Sequence, residues 1–202
     1  MTTAAVILAA GLSTRMGTQN KLLLGIGGEP ILCGVVRAVL GVTDTVPVVV
    51  LGHEADIVKS VVSDLPVDFV VNREPARGQA SSVHLGLESV AKADRTLVVL
   101  GDQPCLTVRA LENLLAEHDA QGGRAITVPM RGVLRGNPIV LPSALREEIL
   151  ASGTNIGCGS FTRRHPELTC AYPTMDSAYF LDVDTPEDLT YVRGLTNWAI
   201  AS

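Results

Sequence analysis

The sequence has 202 residues and a mass of 21.3 kDa, with a formal net charge of -5 and a pI near 5.3. A chain of this length supports one sizeable core, so we expect a single domain over residues 1–202. The acidic balance disfavours proteins that bind DNA or RNA by neutralising many backbone phosphates. The apolar run at residues 4–10 is too short to span a bilayer and no basic residue precedes it. We therefore expect no nucleic-acid or membrane partner and a cytoplasmic location.

The first half of the chain alternates between predicted strands and predicted helices. Short runs rich in Val, Ile and Leu, bounded by Gly, Pro or Asp, have the length and β-branched content of strands buried on both faces. The segments between them carry apolar residues at helical spacing. The predicted strands are residues 5–9, 47–51, 68–71 and 96–100, and the helical segments contain Ile31, Val35 and Val39 and later Leu111, Leu114 and Leu115.

This alternation predicts a three-layer α/β/α, Rossmann-like fold. Repeated strand–helix–strand units with right-handed crossovers give a mainly parallel, twisted sheet with helices on both faces. Ligands of such sheets bind at the carboxyl ends of the strands, so function is expected in the loops there. After Thr107 the pattern changes to strands at residues 125–128 and 139–141, helices through Leu145 and around Phe161, and a final strand and helix.

The loop after the first predicted strand carries the strongest functional signal. Small residues at Ala9, Ala10 and Gly11 let backbone N–H groups approach phosphate oxygens, and Arg15 and Lys21 add fixed positive charges. The glycine spacing matches neither the P-loop nor the dinucleotide-binding pattern, so a different cradle for a polyanion is predicted. The competing interpretation is a strand-to-helix turn with two surface cations.

A carboxylate follows the predicted strand 96–100, in Gly101-Asp102-Gln103-Pro104. This strand should lie beside the first one, so Asp102 would face the bound phosphates. A carboxylate beside a triphosphate is repulsive without a metal ion, so Asp102 is predicted to hold Mg²⁺. Arg15, Lys21 and Asp102 then form the predicted catalytic group, and an Asp-x-Pro turn is the alternative.

An acidic segment leads into the last predicted helix, where we expect a strand to end. Thr185 at the N-cap, Pro186 at the first helical position and Asp188 explain much of the motif as helix initiation. Asp182 and Asp184 are not needed for capping, so one of them could complete the metal site. Asp182 is the favoured second ligand, against the alternative of a solvated acidic turn.

Residues 72–82 leave a predicted strand and enter a helix with small polar side chains at its start. Such a helix start favours contacts to ribose or base, although serine caps alone explain the two serines equally well. The whole predicted nucleotide-binding set is Leu8, Ala9, Ala10, Gly11, Arg15, Lys21, Asn72, Arg73, Gly78, Ser81, Ser82, Gly101 and Asp102.

A fifth candidate motif, Arg135-Gly136-Asn137-Pro138, precedes the predicted strand 139–141. Arg135 and Asn137 could present a cation and an amide to the phosphate of an acceptor, with Gly136 between them. A plain turn is the competing interpretation. We therefore expect the N-terminal half to bind a nucleotide and the C-terminal half to bind an acceptor.

Four of these motifs are distributed over most of the length of the chain. They are Leu8-Ala9-Ala10-Gly11-x-Ser13-x-Arg15-Met16-Gly17 with Lys21, Arg77-Gly78 with Ser82, Gly101-Asp102-Gln103-Pro104, and Asp182-Val183-Asp184-Thr185-Pro186-Glu187-Asp188. Together they resemble the MobA-like nucleotidyltransferases. Within that superfamily the chain most resembles the molybdenum cofactor cytidylyltransferases, because the guanylyl-transferring branch usually has Leu-Ala-Gly-Gly at the first motif.

The resemblance implies a fold of the nucleotide-diphospho-sugar transferase type, with one antiparallel strand in the sheet. It also implies CTP rather than GTP as the nucleotide, Asp102 as a magnesium ligand, Asp182 as a second one, and Arg15 and Lys21 on the triphosphate. The expected reaction is magnesium-dependent transfer of CMP from CTP to a molybdopterin-type cofactor with release of pyrophosphate. The product would pass to a molybdoenzyme or its maturation chaperone.

The second half departs from the family pattern. Such cytidylyltransferases commonly show Gly-His-Pro and then Gly-Asp-x-Gly-Ala-Arg, where this chain has Gly136-Asn137-Pro138 and the segment 153–159. The departure leaves the acceptor open, with a sugar phosphate or methylerythritol phosphate as alternatives. A module that binds nucleotide or cofactor without chemistry is the rival from another functional class.

Overall fold

The computed structural model describes residues 1–74, 77–151 and 157–200, with the side chains of 196–200 left out of the description. Within these residues, eight strands form one sheet and two very short strands form a second. The large sheet consists of β1 (Thr3–Ala9), β4 (Val48–Leu51), β5 (Asp68–Val71), β6 (Arg95–Leu100), β7 (Ile126–Arg131), β8 (Leu134–Arg135), β9 (Ile139–Pro142) and β10 (Thr169–Pro173), and the small one of β2 (Gly25–Ile26) and β3 (Glu29–Pro30).

The order of the large sheet is β10-β7-β9-β6-β1-β4-β5, with β8 paired to β7. β1 lies between β4 and β6 and is parallel to both, while β9 is antiparallel to β6 and β7. The predicted mainly parallel sheet with an antiparallel strand is therefore confirmed. Because β6 is the neighbour of β1, the loops after these two strands share one edge of the sheet.

Helices cover both faces of this sheet. Alternate side chains of β1 point to opposite sides, so Ala5 and Ile7 lie in one apolar cluster and Ala4 and Val6 lie in the other. The sheet is thus the middle of three layers, which confirms the predicted architecture. The helices are α1 (Ile31–Leu40), α2 (Ala55–Val62), α3 (Gln79–Ser89), α4 (Val108–Ala120), α5 (Ser143–Ala151), α6 (Cys158–Arg164) and α7 (Pro186–Ile200).

Helix α3 approaches the sheet closely because Gly86 has no side chain. A Cβ atom there would collide with the Cγ1 atom of Val6 on β1 and would lie 2.9 Å from a methyl group of Val50 on β4. Helix α3 therefore packs directly on β1 and β4.

One sequence prediction about the fold is wrong. The segment before α7, around Leu181, is not a strand, and the last strand is β10, which ends earlier at Pro173. The backbone N–H of Val183 instead donates to the carbonyl oxygen of Asp102 at 3.0 Å. The segment therefore crosses the end of β6 rather than extending the sheet, although its apolar and acidic residues resemble a strand followed by a turn.

The predicted start of α7 is confirmed. The backbone N–H of Asp188 donates to Thr185 Oγ1 at 3.2 Å, and the Asp188 carboxylate accepts from the Thr185 N–H at 2.8 Å. This reciprocal pair is a capping box, which satisfies otherwise unpaired donors at the helix start. Among the helices of the described residues, none combines the length and the apolar character needed to cross a bilayer.

Candidate active site

A cleft of about 290 Å³ opens at the carboxyl ends of β1 and β6. The loop after β1 forms one wall, the start of α3 forms another, and acidic side chains close the third. The cleft is lined by Leu8, Ala9, Ala10, Gly11, Leu12, Lys21, Leu22, Gly78, Gln79, Ser82, Leu100, Asp102, Asp182 and Asp184.

Local hydrogen bonds hold the loop after β1 in one conformation. Ser13 has a left-handed backbone (φ 50°), and its hydroxyl accepts from the backbone N–H of Lys21 at 3.3 Å. The buried Asn20 side chain accepts from the Leu22 N–H at 3.2 Å and donates to the Glu54 carboxylate at 3.1 Å. These contacts position Lys21, whose side chain is only 11% exposed, at the floor of the cleft.

Two cations and two carboxylates form a continuous ion-pair network in the cleft. Lys21 Nζ lies 2.5 Å from Asp102 Oδ2 and 2.6 Å from Asp184 Oδ1, and Arg15 Nη2 lies 2.7 Å from Asp184 Oδ2. Burial lowers the pKa of the Lys21 ammonium, but the charge and hydrogen bonds of Asp102 and Asp184 outweigh burial, so its pKa is raised overall. Lys21 is therefore a fixed positive charge at neutral pH.

Three carboxylates gather at the same place. Asp102, Asp182 and Asp184 each offer an oxygen, and these oxygens all lie within 4.8 Å of one another. Desolvation, followed by the negative charge of Asp102, raises the pKa of Asp182, although the residue as a whole is exposed. Asp102 Oδ1 is buried without a hydrogen-bond partner among the described residues. Carboxylates this close repel one another and leave an oxygen unsatisfied, so this donor set fits a divalent cation with a preference for oxygen ligands.

A second cleft, of about 210 Å³, adjoins the first. The two share Leu8, Gln79 and Leu100, so a ligand in one lies next to a ligand in the other. Its further lining residues are Val83, Val98, Val128, Arg135, Gly136, Asn137, Ile139, Cys158, Gly159, Thr162 and Arg163.

The backbone around residue 136 is packed tightly against the loop before α7. The Asn137 N–H donates to the Tyr179 carbonyl at 2.9 Å, and the buried Gln103 side chain donates to the Asn137 carbonyl at 3.1 Å. A Cβ atom at Gly136 would lie 2.7 Å from the Tyr179 carbonyl oxygen, so a side chain has no room there. Nearby, burial raises the pKa of the Cys158 thiol to about 12, which makes it a protonated wall residue rather than a nucleophile.

Residues 5–168 match the MobA-like NTP transferase domain, which covers the loop after β1, the start of α3 and Asp102. The chain belongs to the MobA-like NTP transferase family. Membership of this family supports nucleotidyl transfer as the reaction class of this chain.

Individual proteins are similar to this chain over different shares of their own length. The chain is 30% identical over 191 residues to nicotine blue oxidoreductase of Paenarthrobacter nicotinovorans, covering 91% of this chain and 93% of that protein. It is 37% identical over 115 residues to the bifunctional protein GlmU of Alkalilimnicola ehrlichii, covering 56% of this chain but spanning only 25% of that protein. A nucleotidyl transferase from Methanothermobacter has the same fold, with a TM-score of 0.84 at 24% identity over 98% of this chain and 99% of that one.

The structure brings most of the predicted nucleotide-binding residues of this MobA-like domain to the first cleft. Leu8, Ala9, Ala10, Gly11, Lys21, Gly78, Ser82 and Asp102 line it directly, and the predicted metal ligand Asp182 does so as well. Arg15 lies at its edge, joined to the cleft through Asp184, and is 67% exposed.

Other predicted residues lie away from the cleft. Asn72, Arg73 and Ser81 line a separate surface cavity, and the Asn72 amide donates to the hydroxyls of Ser81 and Ser82 at 2.9 Å each. Asn72 is buried and holds the start of α3, so its contacts serve the helix. Gly101 is packed below the surface, where a Cβ atom would lie 3.1 Å from the Leu8 carbonyl oxygen. Pro75 and Ala76 of this motif lie outside the described residues, as do residues 153–156 of the departing segment.

Gln79 was missed in the sequence-based prediction of the site, and Asp184 was predicted only as the alternative to Asp182 as a metal ligand. Asp184 bonds to both Lys21 and Arg15, and Gln79 lines both clefts. Asp184 was the alternative to Asp182 because neither side chain is needed for capping, and nothing in the spacing separates the two. Gln79 follows Gly78 at the first turn of α3, so its position after a glycine was the available signal.

Proposed function

We propose that this MobA-like chain transfers CMP from CTP to the terminal phosphate of a molybdopterin-type cofactor and releases pyrophosphate. In this proposal residues 1–202 act as one domain, with the nucleotide in the first cleft and the acceptor in the second. The observation that carries the proposal is the placement of Lys21, Arg15 and three carboxylates beside a phosphate-sized loop of small residues.

The reaction needs no protein nucleophile. An oxygen of the acceptor phosphate attacks the α-phosphorus of CTP, the bond from that phosphorus to the bridging oxygen breaks, and pyrophosphate leaves with the electron pair. Lys21 and Arg15 neutralise the charge that moves onto the leaving group, and the backbone N–H groups around Ala10 and Gly11 orient the phosphates. Contacts with Asp102 and Asp184 already hold both cations at the cleft before the substrate arrives.

Asp102, Asp182 and Asp184 would hold Mg²⁺, because a set of carboxylate oxygens suits this hard cation. The ion would offset the negative charge of the phosphates and of the three aspartates. The buried, unpartnered Oδ1 atom of Asp102 supports its role as a ligand.

Ala10 supports CTP over GTP as the donor. Ala10 lines the cleft, at the place where the guanylyl-transferring branch usually has a glycine. Ala10 is buried against Gly52, where a Cβ atom would lie 2.8 Å from the Ala10 Cβ atom, so the methyl group is backed by the β4 loop. A fixed methyl group leaves less room for a purine than for a pyrimidine.

The adjoining cleft supports an acceptor that carries a phosphate, because Arg135 and Asn137 line it and three residues are shared with the nucleotide cleft. A sugar phosphate and methylerythritol phosphate have the same reacting group and are the competing acceptors. A cytoplasmic molybdoenzyme or its maturation chaperone would receive the product.

A second candidate function is a redox reaction, favoured by the 30% identity to an oxidoreductase over 93% of that protein's length. A hydride or electron transfer does not require three carboxylates beside a phosphate cradle. The carboxylate cluster therefore favours nucleotidyl transfer.

Pyrophosphate release from the purified chain tests the proposal. CTP and GTP are each supplied with Mg²⁺ and with molybdopterin, a sugar phosphate or methylerythritol phosphate, and a parallel reaction with excess chelator is the control. We expect pyrophosphate from CTP and molybdopterin alone, and none with chelator. Tight CTP binding without pyrophosphate from any acceptor would establish a binding module. Oxidation of a reduced nicotinamide cofactor by an added two-electron acceptor, in the absence of CTP, would support the redox alternative.

A further inference from the structure

The second cleft contains two arginines from different parts of the chain. Arg135 comes from β8, and Arg163 comes from the last turn of α6, and both line the cleft. The residues found to line it include no Asp or Glu. Arg163 is not among the residues predicted for the site from the sequence.

Neither arginine has an ion-pair partner among the described residues. The other cations near the active site, Lys21 and Arg15, contact carboxylates at 2.5 to 2.7 Å. The segments 75–76, 152–156 and 201–202, which the structure leaves undescribed, contain no Asp or Glu in the sequence. The positive charge of this pair is therefore left for a ligand.

A buried hydroxyl orients one of the two guanidinium groups. Arg135 Nη2 donates to Thr162 Oγ1 at 2.7 Å, and Thr162, which is 2% exposed, donates in turn to the Gly159 carbonyl at 3.3 Å. Burial and then the charge of Arg163 lower the pKa of Arg135, so the two cations are close enough to repel each other. An anion between them relieves this repulsion.

We infer that Arg135 and Arg163 form a two-arginine subsite for the phosphate monoester of the acceptor. The inference rests on the proposed function for the identity of the acceptor and adds Arg163 and the anion class. The guanidinium fork matches phosphate oxygens bidentately, and the apolar residues Val98, Val128 and Ile139 provide a floor for the body of the molecule. Arg135 also lines the small cavity beside Asp182, so the bound phosphate lies toward the carboxylate cluster.

A titration with inorganic phosphate tests the subsite without nucleotide, metal or turnover. The backbone amide signals of Gly159 and Thr162 in the ¹⁵N-labelled full chain are followed by NMR. We expect saturable shifts in the unmodified protein and in R164Q, which removes the neighbouring charge on α6 outside the cleft. R163Q and R135Q should each weaken binding about tenfold, the effect of losing one charge-assisted contact. Shifts confined to the loop after β1, or an R163Q titration identical to that of R164Q, would overturn the inference.

Comparison of phenyl phosphate with benzoate distinguishes a phosphate site from a general anion site. We expect phenyl phosphate to bind at least tenfold more tightly, because two guanidinium groups match a doubly charged group. Equal affinities would overturn the assignment to phosphate.

Steady-state kinetics separates failure of this inference from failure of the proposed function. R163Q should raise the KM for the acceptor about tenfold and leave the KM for CTP unchanged, whereas R164Q should change neither. Active enzyme with an unchanged acceptor KM in R163Q would overturn the inference alone. Arg163-dependent phosphate binding without any transfer from CTP would overturn the proposed reaction and support the subsite.

Discussion

At the carboxyl ends of β1 and β6, Lys21 and Arg15 are paired with Asp102 and Asp184, whereas in the adjoining cleft Arg135 and Arg163 contact no carboxylate of the described residues. Each cleft has two cations in or beside it. The first also has three aspartates, whereas the residues found to line the second include no Asp or Glu. The first combines positive and negative groups, as a metal–triphosphate complex requires. The second offers positive charge alone, which suits a free phosphate.

A count of basic residues therefore does not identify the ligand of a cleft. The protein has an acidic net charge of -5, so a free anion is attracted only where cations are locally unopposed. Variants of the first cleft should therefore affect the use of CTP, and variants of the second should affect the KM for the acceptor. A variant of helix α3, which contributes to both clefts, should affect both substrates.

Variants of the carboxylate cluster should lose the most activity. D102N should lower kcat about a thousandfold, because it removes the proposed metal ligand with the buried, unpartnered oxygen. Pyrophosphate release at saturating CTP and acceptor measures this loss. D64N, which neutralises an exposed aspartate far from the cluster, should keep full activity. Magnesium-dependent turnover within threefold of normal in D102N would remove Asp102 from the proposed site.

Next in size is the removal of the buried cation. K21M should lower kcat/KM for CTP about a hundredfold, because it removes the charge that is proposed to stabilise the leaving pyrophosphate. The KM for the acceptor should stay unchanged, in contrast to R163Q. K92M, which removes an exposed lysine with an 85% accessible side chain, is the matched control. An equal loss of acceptor and CTP binding in K21M would contradict the division into two clefts.

A variant of helix α3 should affect both clefts, because Gln79 at the start of this helix lines both. G86A should destabilise the fold by about 1–3 kcal/mol, since the added methyl group collides with Val6 on β1. The KM values for CTP and acceptor should rise together. Urea denaturation and steady-state kinetics measure the two effects.

The matched control for that helix is G34A on α1. A Cβ atom there would meet only Glu29 Oε1, at an ordinary 3.7 Å, so the substitution should stabilise the helix by up to about 1 kcal/mol. Destabilisation by G34A equal to that of G86A would show that the effect at Gly86 does not arise from its contact with the sheet.

The smallest effect is expected from the residue that orients Arg135. T162V keeps the side-chain shape but removes the acceptor of the Arg135 hydrogen bond, so the acceptor KM should rise about threefold without a change in the KM for CTP. T190V, at an exposed position on α7, is the control. An unchanged acceptor KM in T162V with a raised one in R163Q would show that Arg135 needs no support from Thr162.

The fold was largely predictable because its signals are local. Residues 68–71 were predicted as a strand with the bounds that the structure shows, and the capping pattern at Thr185 and Asp188 starts α7 as expected. The strand expected near Leu181 was wrong, because Val183 satisfies its N–H on the Asp102 carbonyl rather than in the sheet. Apolar residues alone do not determine which hydrogen-bond acceptor a backbone N–H group will contact.

The roles assigned to the site residues remain predictions, but the structure shows which of these residues lie in the same cleft. The loop after β1 and Asp102 meet in one cleft because parallel neighbouring strands end at the same edge, which the strand order implies. Asn72, Arg73 and Ser81 share a motif with Gly78 and Ser82 yet face another cavity. Ser81 and Ser82 are successive residues of α3 and lie on different faces of the helix, so adjacency in the sequence does not place them in the same cleft.

The family, the layered fold and the two loops that meet at the first cleft could be predicted from the sequence, because periodicity, glycine placement and capping are carried by neighbouring residues. The packing of the layers was needed to show that Asp184 joins Lys21 to Arg15, that Gln79 lines both clefts, and that Arg135 and Arg163 line the same cleft. These pairs are separated by many residues, and the charge of a cleft depends on which side chains the packed layers bring within a few ångströms of one another.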